Sequence, residues 1–256
     1  MDHPSREPAL NADPAVQIRL LDLQEQDTRL TQLDHRATHL PDSVALADAD
    51  ARLARLRDQV VAAETILSDL EVEQEQADRD VEQVRERRRR DQELLDSGSV
   101  GDPKQLQAIS SELENLVRRQ ADLEDVELEI MERVEGARAA VEQLASERDA
   151  MVTERDDLAA RVAAQLAEIA EERGEVVALR TRIATEIPAD LLALYDKVRA
   201  DHGGVGAAPL HRGSCQGCRL ALPPTEIEAL RAAPADSVVR CEECRRILVR
   251  TSESGL

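Results

Sequence analysis

The chain's chemistry is concentrated near its end. Cys215, Cys218, Cys241 and Cys244 are its only cysteines, and they form two Cys-x-x-Cys pairs, Cys-Gln-Gly-Cys and Cys-Glu-Glu-Cys, twenty-two residues apart. Two residues between thiols let one tight turn aim both sulfurs at one ion, and two such turns supply the four ligands of a tetrahedral zinc site. Gly217 suits a tight turn of this kind. Four thiolates leave no position for water, so the predicted zinc ion is single and structural. It also supplies folding energy to a segment that has no aromatic residue. An iron–sulfur cluster is the chemical alternative with four cysteines. A thioredoxin-like redox pair would require an α/β setting that the surrounding sequence does not provide. His211 lies four residues before Cys215 and could replace a ligand, but with four cysteines present it reads as a surface residue. His3, His35, His39 and His202 are isolated and read as solvated.

Basic residues form two groups. Around the cysteines, Arg212, Arg219, Arg240, Arg245, Arg246 and Arg250 could make one face that contacts phosphates. Without aromatic side chains that face cannot stack on bases, and the same arginines fit an ordinary solvated surface equally well. The second group is Arg87, Arg88, Arg89 and Arg90, preceded by Arg85, with Lys104 across a predicted turn and Arg118 and Arg119 opposite. It could be a docking point. Glu86, Asp91, Glu93, Glu112 and Glu114 are close enough in sequence that local neutralisation is the favoured reading.

The elements that position these groups follow from apolar spacing. Residues 1–12 read as a flexible tail. Asp13-Pro14 is a helix start, with Asp as cap and Pro at the first helical position, and Val16, Leu20, Leu23, Leu30 and Leu33 follow. Pro41 must kink or break this helix, with Asp42 or Ser43 able to cap the restart. From Leu46 apolar residues recur at alternating intervals of three and four, through Leu53, Val60, Leu67, Leu70 and Val81 to Leu95, the heptad signature. Glycines, serines and Pro103 mark a turn at 96–103. A second heptad run extends from Leu106 to Glu186, its seam reaching Ile183, with Gln120, Glu127, Arg148, Arg155, Gln165 and Glu172 among the polar seam positions. Polar seam residues can fix register at some cost in stability.

Arms of similar length around a short turn predict a mainly α fold. It is a long antiparallel coiled-coil helical hairpin over 13–187, kinked near Pro41, followed by a small C-terminal four-cysteine zinc ribbon over 207–251. Ile187-Pro188 ends the second arm. Residues 188–206 should hold a short helix, with Leu191, Leu192, Tyr195 and Val198 on its apolar side, and a glycine linker. The glycines at 203–206 are not a dinucleotide fingerprint, because no strand precedes them and no helix pattern follows. In the ribbon, strands are predicted at 237–240 and 246–250, with a short helix at 226–232 capped by Thr225.

Composition supports this division. The chain has one tyrosine, no Phe and no Trp, so its core must come from Leu, Val, Ile and Ala. Charged residues reach 34%, enough for disorder, but a disordered chain needs no regular apolar spacing. The formal net charge of −20 opposes nonspecific contact with nucleic acid or anionic membrane. No apolar stretch is long enough to cross a bilayer, the N-terminus lacks a signal core, and clustered thiols fit a reducing, cytoplasmic setting. No nucleophile elbow, phosphate loop or HExxH motif points to an enzyme or to a small-molecule substrate.

The sequence resembles a bacterial family of C4-type zinc-ribbon proteins with a long N-terminal coiled coil. The resemblance rests on 102–108, Asp-Pro-Lys-Gln-Leu-Gln-Ala, then Arg118-Arg119, Leu123-Glu124-Asp125, and Ile187-Pro188 through Leu192 with Tyr195. It continues in 215–224 and in 241–248. It covers the turn and everything after it. It departs at Asp102, where Asn often precedes the proline, and at Glu242, Glu243 and Arg245, where Pro and Gly are common. Acids at the second knuckle weigh against RNA there. The resemblance implies a helical hairpin with a zinc ribbon, acting as an adaptor or chaperone. Some such proteins are tied to flagellar or type III secretion systems, with RNA binding proposed. The Ala-, Arg- and Asp-rich composition suggests a high-GC bacterium. The expected function is a non-enzymatic adaptor that binds a protein partner through its coiled coil. The alternative is a nucleic-acid-binding protein acting through the ribbon's basic face.

Overall fold

The computed structural model describes residues 10–256. Five helices are found among them: α1 (Pro14–Thr38), α2 (Pro41–Asp96), α3 (Pro103–Thr185), α4 (Ala189–Asp201) and α5 (Pro224–Ala232). Four short strands complete the set: β1 (Ala207–His211), β2 (Ser214–Cys215), β3 (Val239–Arg240) and β4 (Ile247–Val249). Helix ends fall where local chemistry places them. The Asp13 side chain accepts the Ala15 N–H at 2.8 Å, and Asp102 does the same for Lys104 at 3.0 Å, so both helices that follow open on an acidic cap and a proline. α1 stops before Leu40 and α2 restarts at Pro41 itself, ahead of the expected caps Asp42 and Ser43.

The residues divide into two units, Asp42–Ala160 and Met1–Pro41 with Arg161–Leu256. The first is an antiparallel pair made by α2 and the N-terminal part of α3. Cross-helix ion pairs rise in number on one helix as they fall on the other: Asp50 with Arg155, Glu71 with Arg138, Arg85 with Glu124, Arg87 with Glu112. Leu70, Ala77, Ile130 and Val134 are buried between the helices, flanked by Leu67 and Ala137. Polar seam residues find partners within this register. Arg155 reaches Asp50, and Gln120 accepts from Arg88.

In the second unit α1 runs against the C-terminal part of α3. Leu33, Leu40, Ile169 and Val176 form one cluster, and the seam acid Glu172 pairs with both Arg29 and Arg36. The strands form one sheet in the order β2-β1-β4-β3, with β1 and β4 parallel and the outer pairs antiparallel. Side chains alternate across a strand, and both faces of this sheet are covered. Ala207, Ile247 and Val249 face a core with Leu20, Leu23, Ile183, Ile187, Leu191 and Tyr195. Ala208, Leu210 and Leu248 face the cysteines with Leu222 and Leu230.

Three local expectations are corrected. The predicted tail lies outside the described residues up to position 9, but residues 10–12 pair with the ribbon: Ala12 N–H donates to Asp236 O and Val238 N–H to Leu10 O. Thr225 does not cap α5; Pro223 occupies that position, with no side-chain bond. β1 and β2 are strands beyond the two that the sequence predicts. Their connection, Arg212-Gly213, has positive φ at both residues (46° and 71°), the two-residue turn that suits a twisted hairpin.

Candidate metal centre

Each cysteine pair is held by the same backbone device. Arg219 N–H donates to Cys215 O at 2.7 Å and Arg245 N–H to Cys241 O at 2.8 Å. Cys215 N–H reaches Leu220 O and Cys241 N–H reaches Arg246 O, both at 3.0 Å. The turns bring all four Sγ atoms within 4.8 Å of one another, with Cys215 and Cys241 buried. Four sulfurs about 2.3 Å from a tetrahedral centre stand about 3.8 Å apart. Cys215 Sγ lies 3.8 Å from Cys244 Sγ, and Cys218 Sγ 3.9 Å from Cys241 Sγ. These spacings are far beyond the ~2 Å of a disulfide. The donor set therefore fits one zinc ion with no ligand position left over. His211 is not part of it; its Nδ1 lies 3.3 Å from Glu253.

The thiols' protonation follows from their surroundings. Burial pushes the Cys215 thiol up and the Cys241 thiol up to about 12. Backbone N–H groups of Gly217 and Cys218 aim at Cys215, and those of Glu243 and Cys244 at Cys241, partly offsetting the burial. At Cys244, burial is outweighed by hydrogen bonds from the Arg246 backbone and side chain, and the thiol is lowered. Metal binding must displace the remaining protons, which couples zinc uptake to pH.

Glycine and arginine divide their roles unexpectedly in these turns. Gly217 does not have positive φ; a Cβ there would meet Arg246 Cδ at 2.8 Å and Ala208 Cβ at 3.1 Å. Its bareness admits the Arg246 side chain, not a left-handed turn. The left-handed positions belong to Arg219 (φ 64°) and Arg245 (φ 59°).

The six ribbon arginines separate accordingly. Arg246 donates to His202 O at 2.9 Å, Val205 O at 3.1 Å and Gly217 O at 3.4 Å, tying the first knuckle to the segment after α4. Arg250 gathers the carbonyls of Leu230, Ala233, Pro234, Ala235 and Ser237. Arg240 is half-buried and donates to Arg245 O. Arg212, Arg219 and Arg245 are exposed, and all three have positive φ.

A polar clasp that the sequence did not reveal holds the ribbon to the helices of its own unit. Asp27, 1% exposed, accepts the Tyr195 hydroxyl at 2.7 Å and Arg180 Nε at 2.8 Å, with Arg199 Nη2 at 3.3 Å. Beside it, Gln24 Oε1 accepts Gly206 N–H at 2.7 Å, while Gln24 Nε2 donates to Gly204 O at 3.0 Å. Burial first, then the bond to Asp27, raises the Tyr195 phenol well above its ordinary value. The signal was present as a gap. Apolar seam residues of α1 step from Leu23 to Leu30, and the skipped position is Asp27.

At the other arginine cluster, Arg87 is matched by Asp91 and Glu112, and Arg89 approaches Glu93 at 4.0 Å. Arg88 and Arg118 donate to neutral amides, of Gln120 and Asn115, and Arg88 adds to the Gln120 and Arg85 hydrogen bonds that hold the nearby Glu124 carboxyl below its ordinary value. Arg90, Arg119 and Lys104 have no ion-pair partner among the described residues.

Residues 23–203 match the CT398-like coiled coil hairpin domain. The chain belongs to that family. Residues 214–248 match the C4-type zinc ribbon domain, which contains all four cysteines. The uncharacterised protein Rv2229c of Mycobacterium tuberculosis is 38% identical over 244 residues, covering 94% of this chain and 98% of that one. The uncharacterised protein ML1638 of Mycobacterium leprae is 28% identical over 222 residues, covering 85% and 93%. A solved structure from Mycobacterium smegmatis superposes with a TM-score of 0.83 at 34% identity, over 94% of this chain and all of that one. CT398 of Chlamydia trachomatis, at 18% identity, shares the fold with a TM-score of 0.67, covering 93% and 98%. This chain thus joins a coiled-coil hairpin to a four-cysteine zinc ribbon, and the cysteine cluster fits a single structural zinc ion. No helix among the described residues is long and apolar enough to cross a membrane.

Proposed function

We propose that the protein is a non-enzymatic cytoplasmic adaptor, with Cys215, Cys218, Cys241 and Cys244 as the zinc ligands. Its hairpin binds a protein partner and its zinc ribbon holds a fixed surface. The carrying observation is the state of the hairpin faces. Two packed helices cannot cover themselves, and Val61, Ile66, Val72 and Leu128 remain 58–62% exposed. Apolar residues at this density on a two-helix ribbon fit contact with further helices. A closed thiolate site supports a structural role for the metal, and neither a nucleophile–base pair nor an open metal position supports catalysis. Photo-crosslinking residues placed at Ile66 and Leu128 in the full chain, in its native host, should give a discrete protein adduct. No adduct at either site, with no partner recovered by pull-down, refutes the reading.

A second reading is nucleic-acid binding by the ribbon. It is favoured by one observation: three exposed arginines, Arg212, Arg219 and Arg245, occupy left-handed backbone that costs about 1–2 kcal/mol for a side-chain-bearing residue. Unfavourable backbone retained at exposed charged residues is a motive for seeking a ligand. Phosphate contacts weaken steeply with salt. Anisotropy with mixed RNA and DNA at two salt levels tests it, and no binding at low salt removes it.

A further inference from the structure

Within the Asp42–Ala160 unit, near the turn, α2 and α3 border a groove of about 810 Å³. Its apolar floor is Leu113, half-buried, and Val117, which is 51% exposed. These two are four residues apart and lie on one face of α3. Its walls carry four arginines: Arg85, Arg88 and Arg89 from α2, and Arg118 from α3. Arg85, Arg88 and Arg89 also follow helical spacing and form one basic ridge along α2, with Arg118 alone on the α3 side.

The charges of this groove are unevenly satisfied. Arg85 is bound to Glu124 at 2.6 Å and Arg89 lies at the limit of pairing with Glu93. Arg88 and Arg118 hydrogen-bond to amide oxygens and form no ion pair among the described residues, though Arg88 acts on Glu124 through space. Four arginines thus line the groove against two acids, Glu93 and Glu114, a local excess of positive charge in a chain with twenty more acids than bases. Attraction from charges elsewhere in the molecule is screened within about 10 Å, so this local excess of positive charge favours a ligand that brings carboxylates into the groove.

We propose that this groove docks an acidic amphipathic helix of a partner protein, its carboxylates meeting Arg88 and Arg118 and an aliphatic side chain resting on Val117. The proposal rests on the adaptor reading and names the chemistry of the partner. Nucleic acid fits less well. Glu93 and Glu114 also line the groove and would face a phosphate chain, the apolar floor offers phosphate nothing, and no aromatic ring is present to stack on a base. A helix places carboxylates and aliphatic groups on one side at intervals of three and four residues, matching the spacing of the α2 arginines and of Leu113 with Val117.

The full-length, zinc-loaded protein is titrated against three fluorescein-labelled probes: a helix-forming Leu/Glu peptide, the same peptide with every Leu replaced by Ser, and a single-stranded oligonucleotide of matched charge. Saturable binding of the Leu/Glu peptide is expected. It should weaken at least about tenfold in R88E/R118E, where like charges face each other, and again in V117E, with the far-UV helical signal unchanged in both variants. Equal affinity for the Ser peptide or the oligonucleotide would show charge attraction alone and overturn the proposal. So would absence of saturable binding. Tight peptide binding that survives all three substitutions would remove the groove as the docking site while leaving the adaptor reading standing.

Discussion

Asp27→Ala is the most informative single substitution. The wild-type carboxylate is 1% exposed and receives a phenol and two guanidinium groups. A hydrogen bond to a buried charge is worth about 1.5–3 kcal/mol. Removing one partner of a buried ion pair costs about 3–5 kcal/mol because the other charge is stranded. Arg180 and Arg199 are 24% and 31% exposed, so water relieves part of that penalty, and Arg180 keeps Asp196 at 3.2 Å. The net loss should be about 3 kcal/mol, confined to the unit that holds the ribbon. Tyr195 is the only tyrosine and there is no tryptophan, so its fluorescence during urea unfolding reports this site directly. Tyr195→Phe should cost less, since Asp27 keeps its guanidinium partners. The double variant should show a coupling of about 1–2 kcal/mol between the two. An Asp27→Ala protein within about 0.5 kcal/mol of wild type, which is the ordinary range for surface substitutions, would refute the clasp.

Tyr195 also gives a pH prediction. Its phenol is raised in the folded chain and ordinary in the unfolded one, so above about pH 10 the unfolded state loses a proton that the folded state keeps, and stability falls as pH rises. Absorbance at 295 nm should show little phenolate at pH 10 in the native protein and about half in urea. Cys215→Ser should release zinc, measured by elemental analysis, and unfold the ribbon while the far-UV helical signal persists; global loss of helicity would contradict independent hairpin folding. Arg219→Gly and Arg245→Gly should each leave the ribbon unchanged or more stable by up to about 1 kcal/mol in thermal melts, because glycine relieves the left-handed backbone and gives part of the gain back as unfolded-state entropy. Gly206→Ala places a Cβ 2.7 Å from Tyr195 O and 2.8 Å from its ring, and should destabilise by about 1–3 kcal/mol.

Features governed by local chemistry were readable in the sequence. Pro14, Pro41, Pro103 and Pro188 each stand at a helix start or break because a missing N–H has the same consequence in any context. The thiol cluster was readable because ligand spacing is a local constraint. What was hidden depends on distant partners. The β1 sequence, Ala-Ala-Pro-Leu-His, has no β-branched residue and contains a proline. It becomes a strand because β4 runs beside it and both its faces are covered. Arg246 and Arg250 resemble Arg212 in sequence, yet the first two are absorbed by carbonyls that only folding brings near. A charge count could not separate the arginines that hold the ribbon together from those that face solvent. Gln24 and Asp27 look like solvated helix residues until Tyr195 and Gly206 arrive from the far end of the chain.

That separation in sequence sets an order of events during synthesis. α1 is translated first, but Leu20 and Leu23 have no core to enter until Leu191, Tyr195 and Ile247 exist. Residues 10–12 have no strand to join until Asp236 and Val238 have been made. The segment Asp42–Ala160 carries its own apolar seam and cross-helix ion pairs, so it can close as soon as its second arm leaves the ribosome. The Leu33 end of α1 can dock on Ile169 and Val176 once that part of α3 exists, but its Leu20–Leu23 end stays uncovered until the ribbon is made. Capture of that end by the ribbon is the last long-range step, and the four thiols must be reduced and metal-ready when it comes.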